Sequence, residues 1–133
     1  MELTATQIQH YKKYSVPQLR TKAGKLFRAW IRKRDEEQGC ISCGTRNDPQ
    51  AGHFYSAGHY ASMEFNEDNV HRQCLQCNYH KHGNLLEYRK NLVKKIGNER
   101  VDQLDFFAQA SYKKAYKHDR FNLIQVIIKY SKL

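Results

Sequence analysis

Four cysteines carry the clearest chemistry in this chain. Cys40-Ile-Ser-Cys43 and Cys74-Leu-Gln-Cys77 are two C-x2-C knuckles separated by 30 residues. Four thiolates brought together suit a tetrahedral zinc ion, with Zn–S bonds of about 2.3 Å. Gly44, directly after the first knuckle, permits the tight turn that such a knuckle needs. The other readings are two disulfides or four unrelated core cysteines. Disulfides do not suit a chain without an export signal, and unrelated cysteines rarely fall into two such pairs. The expectation is a closed structural Zn²⁺ site that leaves no cysteine free as a nucleophile.

The interval between the knuckles is longer than a simple zinc ribbon requires. It holds AGHF (Ala51 to Phe54), His59 and FNEDNVHRQC (Phe65 to Cys74), and Cys77 is followed at once by Asn78, Tyr79, His80, Lys81 and His82. One histidine, an asparagine five residues before the third cysteine and an asparagine directly after the fourth form an order that resembles the HNH or ββα-metal nuclease site. There a hairpin and a helix clamp one divalent cation; among zinc-stapled versions the phage endonuclease VII type is close in arrangement. Phosphodiester hydrolysis needs a deprotonated water and a cation to absorb charge on the phosphorane and the leaving 3′-oxygen. His53 is the candidate general base, because imidazole titrates near neutrality. Asn69 is expected to orient His53 or pin the hairpin loop. Asn78 is the ligand for Mg²⁺ or Mn²⁺ that this resemblance implies. It is expected on the first turn of a helix, with His82 one turn further along the same face as a second ligand.

A narrower resemblance rests on CISCGT, AGHF, FNEDNVHRQCLQCNYHKHGNLLEYRKNL and IGNERVDQL. These motifs are similar to the NinG/Rap recombination endonucleases of lambdoid phages, over roughly residues 17–105. The resemblance implies a structure-specific DNA endonuclease acting on Holliday junctions and D-loops. It also implies a divalent-metal requirement and action in the cytoplasm of a bacterial host, encoded by phage or prophage. The N-terminal extension of longer members is expected to be missing. One departure stands out. Many HNH sites place an Asp ligand immediately before the base histidine, and here that position is Gly52. Either His53 is itself the ligand, or Asp48, His59 or Glu67 supplies the coordination. A cation held by Asn and His alone binds weakly, and imidazole favours Mn²⁺ over Mg²⁺.

The elements that must hold these residues follow from charge and periodicity. The chain has 133 residues, with 23 Lys+Arg against 13 Asp+Glu, for a net charge of +10. That length fits one domain: basic N-terminal helices over 1–39, a nuclease-like core over 40–96 and a helical segment over 97–133. Residues 1–39 and 80–133 carry the excess charge, a net of +5 and +7, whereas residues 40–79 carry two basic and four acidic residues. No apolar run approaches the roughly 20 residues of a membrane span and no signal-peptide core is visible, so a soluble intracellular protein without a membrane partner is expected. A basic frame points instead to a polyanion.

Ser15 and Pro17 open a helix whose apolar stripe is Leu19, Ala23, Leu26, Phe27, Trp30 and Ile31, with Gly39 as its end. Ala51 to Tyr60 offers a short hairpin. Asn84 with Glu87 reads as a capped start for the next helix, Gly97 as its end and Asn98 as the cap of another. Arg120 to Tyr130 reads as a helix, with a strand as the alternative. Arg28, Arg32, Lys33, Arg34, His80, Lys81, Arg89, Lys90, Lys94 and Lys95 are the candidate DNA contacts, positioning a duplex without reading sequence. The expected architecture is α+β but mainly α-helical: a zinc-stapled ββα-metal (HNH, treble-clef-like) core with a small β-hairpin and flanking basic helices. Branched DNA is the expected partner, with a homodimer for paired incision and phage recombination proteins as further candidates. The competing functions are a non-catalytic zinc module that binds nucleic acid and an HNH nuclease of the homing or restriction type.

Overall fold

The computed structural model describes residues 2–132, with the side chains of residues 110–112 outside the description. The N-terminal region forms two helices, α1 (Ala5–His10) and α2 (Val16–Arg34). Each opens with a capping box. In α2, Ser15 Oγ accepts from the Gln18 amide at 3.3 Å and Gln18 Oε1 accepts from the Ser15 amide at 2.8 Å. The helix stops at Asp35 rather than continuing to Gly39. Gly39 is required for another reason: a Cβ there would lie 2.4 Å from the Gly44 carbonyl oxygen, so the chain packs closely against the first knuckle.

Leu19, Ala23, Phe27 and Ile31 of α2 are buried, at the spacing the sequence predicts. Their partner is the C-terminal segment, which is helix rather than strand. Asp119 caps α6 (Arg120–Tyr130), and its Leu123, Ile124 and Ile127 pack on Leu19 and Ala23. Each such buried side chain contributes roughly 1.5–3 kcal/mol of transfer free energy. Tyr130 closes the seam edge-on to Phe27 and Trp30, at ring separations of 5.0 and 5.2 Å.

The expected hairpin within Ala51–Tyr60 does not form. Strand β1 (Pro49–His53) instead pairs antiparallel with β2 (Val70–Cys74), with Gly52 opposite His71 and His53 opposite Val70. Ala51 and Val70 turn inward onto Phe27 and Ile31, so the ribbon lies on α2. The loop of residues 54–69 folds back through two short 3-10 turns, Ala61–Met63 and Glu67–Asn69. Asn69 fastens that loop, and its side chain is fully buried. Its Oδ1 accepts from the Tyr55 amide at 2.8 Å, and its Nδ2 donates to the carbonyls of Tyr55 and Met63 at 2.9 and 3.1 Å.

Beyond β2 the chain makes one wide π-type turn, Gln76–His80, closed by the Lys81 amide on the Gln76 carbonyl. His82, Gly83 and Asn84 all have positive φ, and α3 (Leu85–Ile96) begins only after them. Asn84 therefore does not cap α3 with its side chain, contrary to expectation. Gly97, at φ 90, joins α3 directly to α4 (Asn98–Phe107), so Asn98 lies inside the helix and not at its cap. Tyr88, Leu92, Val101 and Leu104 of these two helices enclose Ile41 and Met63 in a second core. A short helix, α5 (Ala110–Ala115), precedes α6. The result is a mainly helical fold with one two-stranded antiparallel ribbon among the described residues.

Candidate metal centre and catalytic cleft

The first knuckle and the end of β2 bring Cys40, Cys43, Cys74 and Cys77 together, with all four Sγ atoms within 4.8 Å of one another. The Cys43–Cys74 separation is 3.7 Å. A tetrahedron of 2.3 Å bonds has edges of about 3.8 Å, so the cluster fits zinc. Burial, with the neighbouring sulfurs adding to it, pushes the Cys77 thiol up to about 12. Four ionised sulfurs at this spacing need a cation among them. Outer donors are already in place: the Cys77 amide reaches Cys74 Sγ at 3.4 Å, and Asn84 Nδ2 reaches Cys77 Sγ at 3.5 Å. Asn84 thus serves the metal centre rather than the helix.

A cleft of about 670 Å³ opens beside the ribbon, and His53, His59, Asn78, His82 and Leu85 are among its lining residues. His53 ends β1, and its Nε2 lies 2.9 Å from the Glu64 backbone carbonyl. A carbonyl only accepts, so Nε2 carries the hydrogen and Nδ1 keeps its lone pair. Burial holds this imidazole below its ordinary value, opposed by the Glu64 hydrogen bond and carboxylate. The ring is therefore neutral at physiological pH. Glu64 is itself braced: Arg20 of α2 holds its carboxylate at 2.6 and 3.1 Å, and His118, ahead of α6, stands 3.0 Å away.

Asn78 donates through Nδ2 to Gln50 Oε1 at 2.8 Å, which leaves its amide oxygen as the atom available to a cation. Asn78 and His82 line the same cleft, but not as successive turns of one helix: His82 has φ 51 and sits in the turn that follows the π-type turn. Of the three residues considered as substitutes for the ligand at Gly52, only His59 lines the cleft. Its Nδ1 is 2.9 Å from Ser56 Oγ. Glu67 instead accepts from Tyr130 Oη at 2.6 Å, and Asp48 gives its carbonyl to the Leu75 amide. No carboxylate is among the described residues that line the cleft.

The reason for Gly52 is steric. A Cβ there would meet Gln73 Oε1 at 2.0 Å and Gln73 Cβ at 2.8 Å. Gln73 is fully buried and cannot swing freely, because its Nε2 donates to Ser42 Oγ at 2.9 Å and to the Gly83 carbonyl at 2.6 Å. Tyr88, also fully buried, donates to the Gly52 carbonyl at 2.6 Å and so fixes the peptide that leads into His53. Gln73, Tyr88 and Glu64 escaped the sequence reading. Nothing local marks them, since each acts across 20 residues or more of chain or through its backbone.

The basic residues divide into two sets. Arg28 and Arg32 line a smaller hollow of about 400 Å³ together with Gln50, Ala51 and Asn78, on the other flank of the cleft. Lys33, His80 and Lys81 are exposed, and Lys90 pairs with Glu87 at 3.2 Å on the surface. Three others are engaged within the protein. Arg34 bonds Asp35 through two nitrogens at 2.9 Å, the carbonyls of Glu67 and Val70 at 2.9 and 2.7 Å, and His71 Nδ1 at 3.2 Å. Lys95 reaches Asp35 at 3.1 Å, and Arg89 grips Asp105 at 3.0 and 2.5 Å. Lys94 and Lys95 border the groove of the first knuckle rather than the cleft. Arg34, Lys95 and Arg89 thus make structural contacts within the protein.

An antiparallel ribbon, the turn that follows it and a four-cysteine cluster behind both define a zinc-binding core of the HNH-like kind. The chain belongs to the NinG family: the family model described as Bacteriophage Lambda NinG protein matches residues 2–132. That match extends the resemblance through the C-terminal segment, which the motifs alone left unassigned. Among curated relatives, protein ninG of Escherichia phage lambda is 45% identical over 85 residues, covering 62% of this chain and 42% of the relative. Protein ninG of Salmonella phage P22 is 42% identical over the same length and shares. The chain thus spans less than half the length of these relatives. No solved structure matches it.

Proposed function

We propose that the chain is a metal-dependent DNA endonuclease that hydrolyses phosphodiester bonds in branched recombination intermediates, Holliday junctions and D-loops among them. The observation that carries this reading is the convergence of His53 and Asn78 on one cleft, each with one side-chain nitrogen already committed to the protein. His53 Nδ1 takes a proton from the attacking water. The Asn78 oxygen and His82 hold a divalent cation, Mg²⁺ or Mn²⁺. Such a cation supplies Lewis-acid stabilisation of the phosphorane and of the departing 3′-oxygen. Arg28 and Arg32 hold neighbouring phosphates beside Asn78, and Lys33, His80 and Lys81 extend the contact. Paired incision of a symmetric junction asks for a homodimer.

One observation favours a second reading, a zinc-stapled module that binds DNA without cutting it: the cleft offers imidazoles and an amide but no carboxylate to a hard cation. The His53→Ala variant separates the two. A nuclease loses cleavage of a four-way junction while the variant still binds it at wild-type affinity. An unchanged cleavage rate in the variant overturns the assignment of His53.

A further inference from the structure

Seven large apolar side chains are exposed among the described residues, and four of them, Leu75, Tyr79, Leu85 and Leu86, fall within one twelve-residue stretch. Tyr79 is 71% and Leu86 83% exposed, more than any other large apolar residue of the described chain. Part of the stretch borders the cleft. Asn78, His82, Gly83 and Leu85 line the cleft, and Tyr79 and Leu86 are the immediate chain neighbours of two of them. It is built to hold its shape: the zinc knuckle anchors one end, and Gln73 holds the Gly83 carbonyl at 2.6 Å in the middle. The Tyr79 and His80 rings are perpendicular at 5.1 Å, and Tyr79 stays largely exposed. Residues 75–86 contain no Asp or Glu, one Lys and two His.

Exposed apolar groups gathered at one place mark a binding surface rather than chance. A protein partner would be met as well by apolar side chains anywhere on the surface. An apolar, carboxylate-free rim beside a cleft flanked by Arg28 and Arg32 instead matches a ligand with flat apolar faces strung on phosphates. Bases within an intact duplex hide those faces by stacking on each other; single strands expose them, and base pairs at the point of a branch lose a stacking neighbour. We infer that Tyr79 and Leu86 offer apolar faces to unstacked nucleobases next to the cleft, and that these contacts make the protein prefer single-stranded and branched DNA over linear duplex. The inference rests on the DNA-cleaving reading above but is testable apart from it.

The test compares the zinc-loaded wild type with Tyr79→Ala, Leu86→Ala and Tyr79→Phe. Anisotropy without added Mg²⁺ or Mn²⁺ gives affinities for a twelve-nucleotide oligothymidylate, a duplex of equal length and a four-way junction. Base–aromatic stacking corresponds to roughly a tenfold change in affinity per base. Tyr79→Ala is therefore expected to weaken oligothymidylate and junction binding by about that factor, Leu86→Ala by less. Duplex affinity should stay within about twofold, and Tyr79→Phe should behave as wild type. Both alanine changes are at exposed positions, and a melting curve for each variant checks that it folds. Equal weakening on all three probes, or no weakening on any, overturns the stacking surface. A wild type that shows the selective loss on mutation yet never cuts a junction keeps the surface and sinks the nuclease. A wild type that cuts junctions while Tyr79→Ala leaves all three affinities unchanged does the reverse.

Discussion

At the scale of single residues, the site depends on side chains that fix the state of other side chains. Glu64 matters to His53 through its carbonyl, which decides which imidazole nitrogen is left basic. Gln50 does the same for the Asn78 amide. The four-cysteine cluster was legible in the sequence because metal chemistry dictates the type and spacing of its residues, and His53 and Asn78 stood out as candidates through the motif order around it. Gln73 was not, because its effect is purely steric: it occupies the space in which a ligand before His53 would begin. Gly52→Ala is therefore expected to destabilise the protein by about 1–3 kcal/mol through overpacking. Gln73→Ala alone costs its two hydrogen bonds, but combined with Gly52→Ala the losses should fall short of their sum. Denaturant melts of the two single variants and the double one measure this coupling. Strict additivity would show that the two positions do not compete for space.

At the scale of elements, the helices were readable from their apolar period and the strand pairing was not. Residues 51–60 carry the Gly and Ser of a turn, but β1 finds its partner seventeen residues on, in a segment whose residues are mostly buried and show no alternation. What locks β2 to α2 is a polar junction. Asp35 is buried between Arg34, Lys95 and the Arg72 amide, and these partners, outweighing the opposing effect of burial, hold its carboxyl well below the usual carboxylate range. His71, next to it, donates from Nε2 to the Asp68 carbonyl at 2.8 Å and accepts on Nδ1 from Arg34. Burial, reinforced by Lys95 and Arg34, lowers its pKa to about 4.

The folded protein therefore keeps His71 neutral, while the unfolded chain takes up a proton as pH drops below about 6.5. In that interval the unfolded state binds more protons, so the contribution of His71 to stability is whole above about 6.5 and fades toward pH 4. His71→Gln, which retains one donor and one acceptor, should flatten the fall in melting temperature between about pH 6.5 and 4.5. An identical slope in wild type and variant would mean that His71 titrates alike in both states.

At the scale of the molecule, two cores meet at the ribbon. One is α2 against α6; the other is α3 and α4 around the long loop. The C-terminal segment, opaque as sequence because it carries no motif, completes the first core and sends His118 to the Glu64 brace. The zinc cluster ties the first knuckle to the second where little apolar packing is available. Cys43→Ser should therefore remove bound zinc, read as metal per chain by elemental analysis, and lower the melting temperature by roughly 10 °C or more. A variant that melts with the wild type would make the cluster dispensable. Arg28 and Arg32 make the flank beside Asn78 cationic, so junction affinity should fall steeply with salt.

The most direct measurement is cleavage by the wild-type protein of a labelled four-way junction and a matched linear duplex, each with Mg²⁺, with Mn²⁺ and without added divalent metal. Incision at the branch that requires the metal, is faster with Mn²⁺ and spares the linear duplex is the expected result. Tight junction binding with no incision under any of these conditions would contradict it, and would make the cleft of His53 and Asn78 a binding site alone.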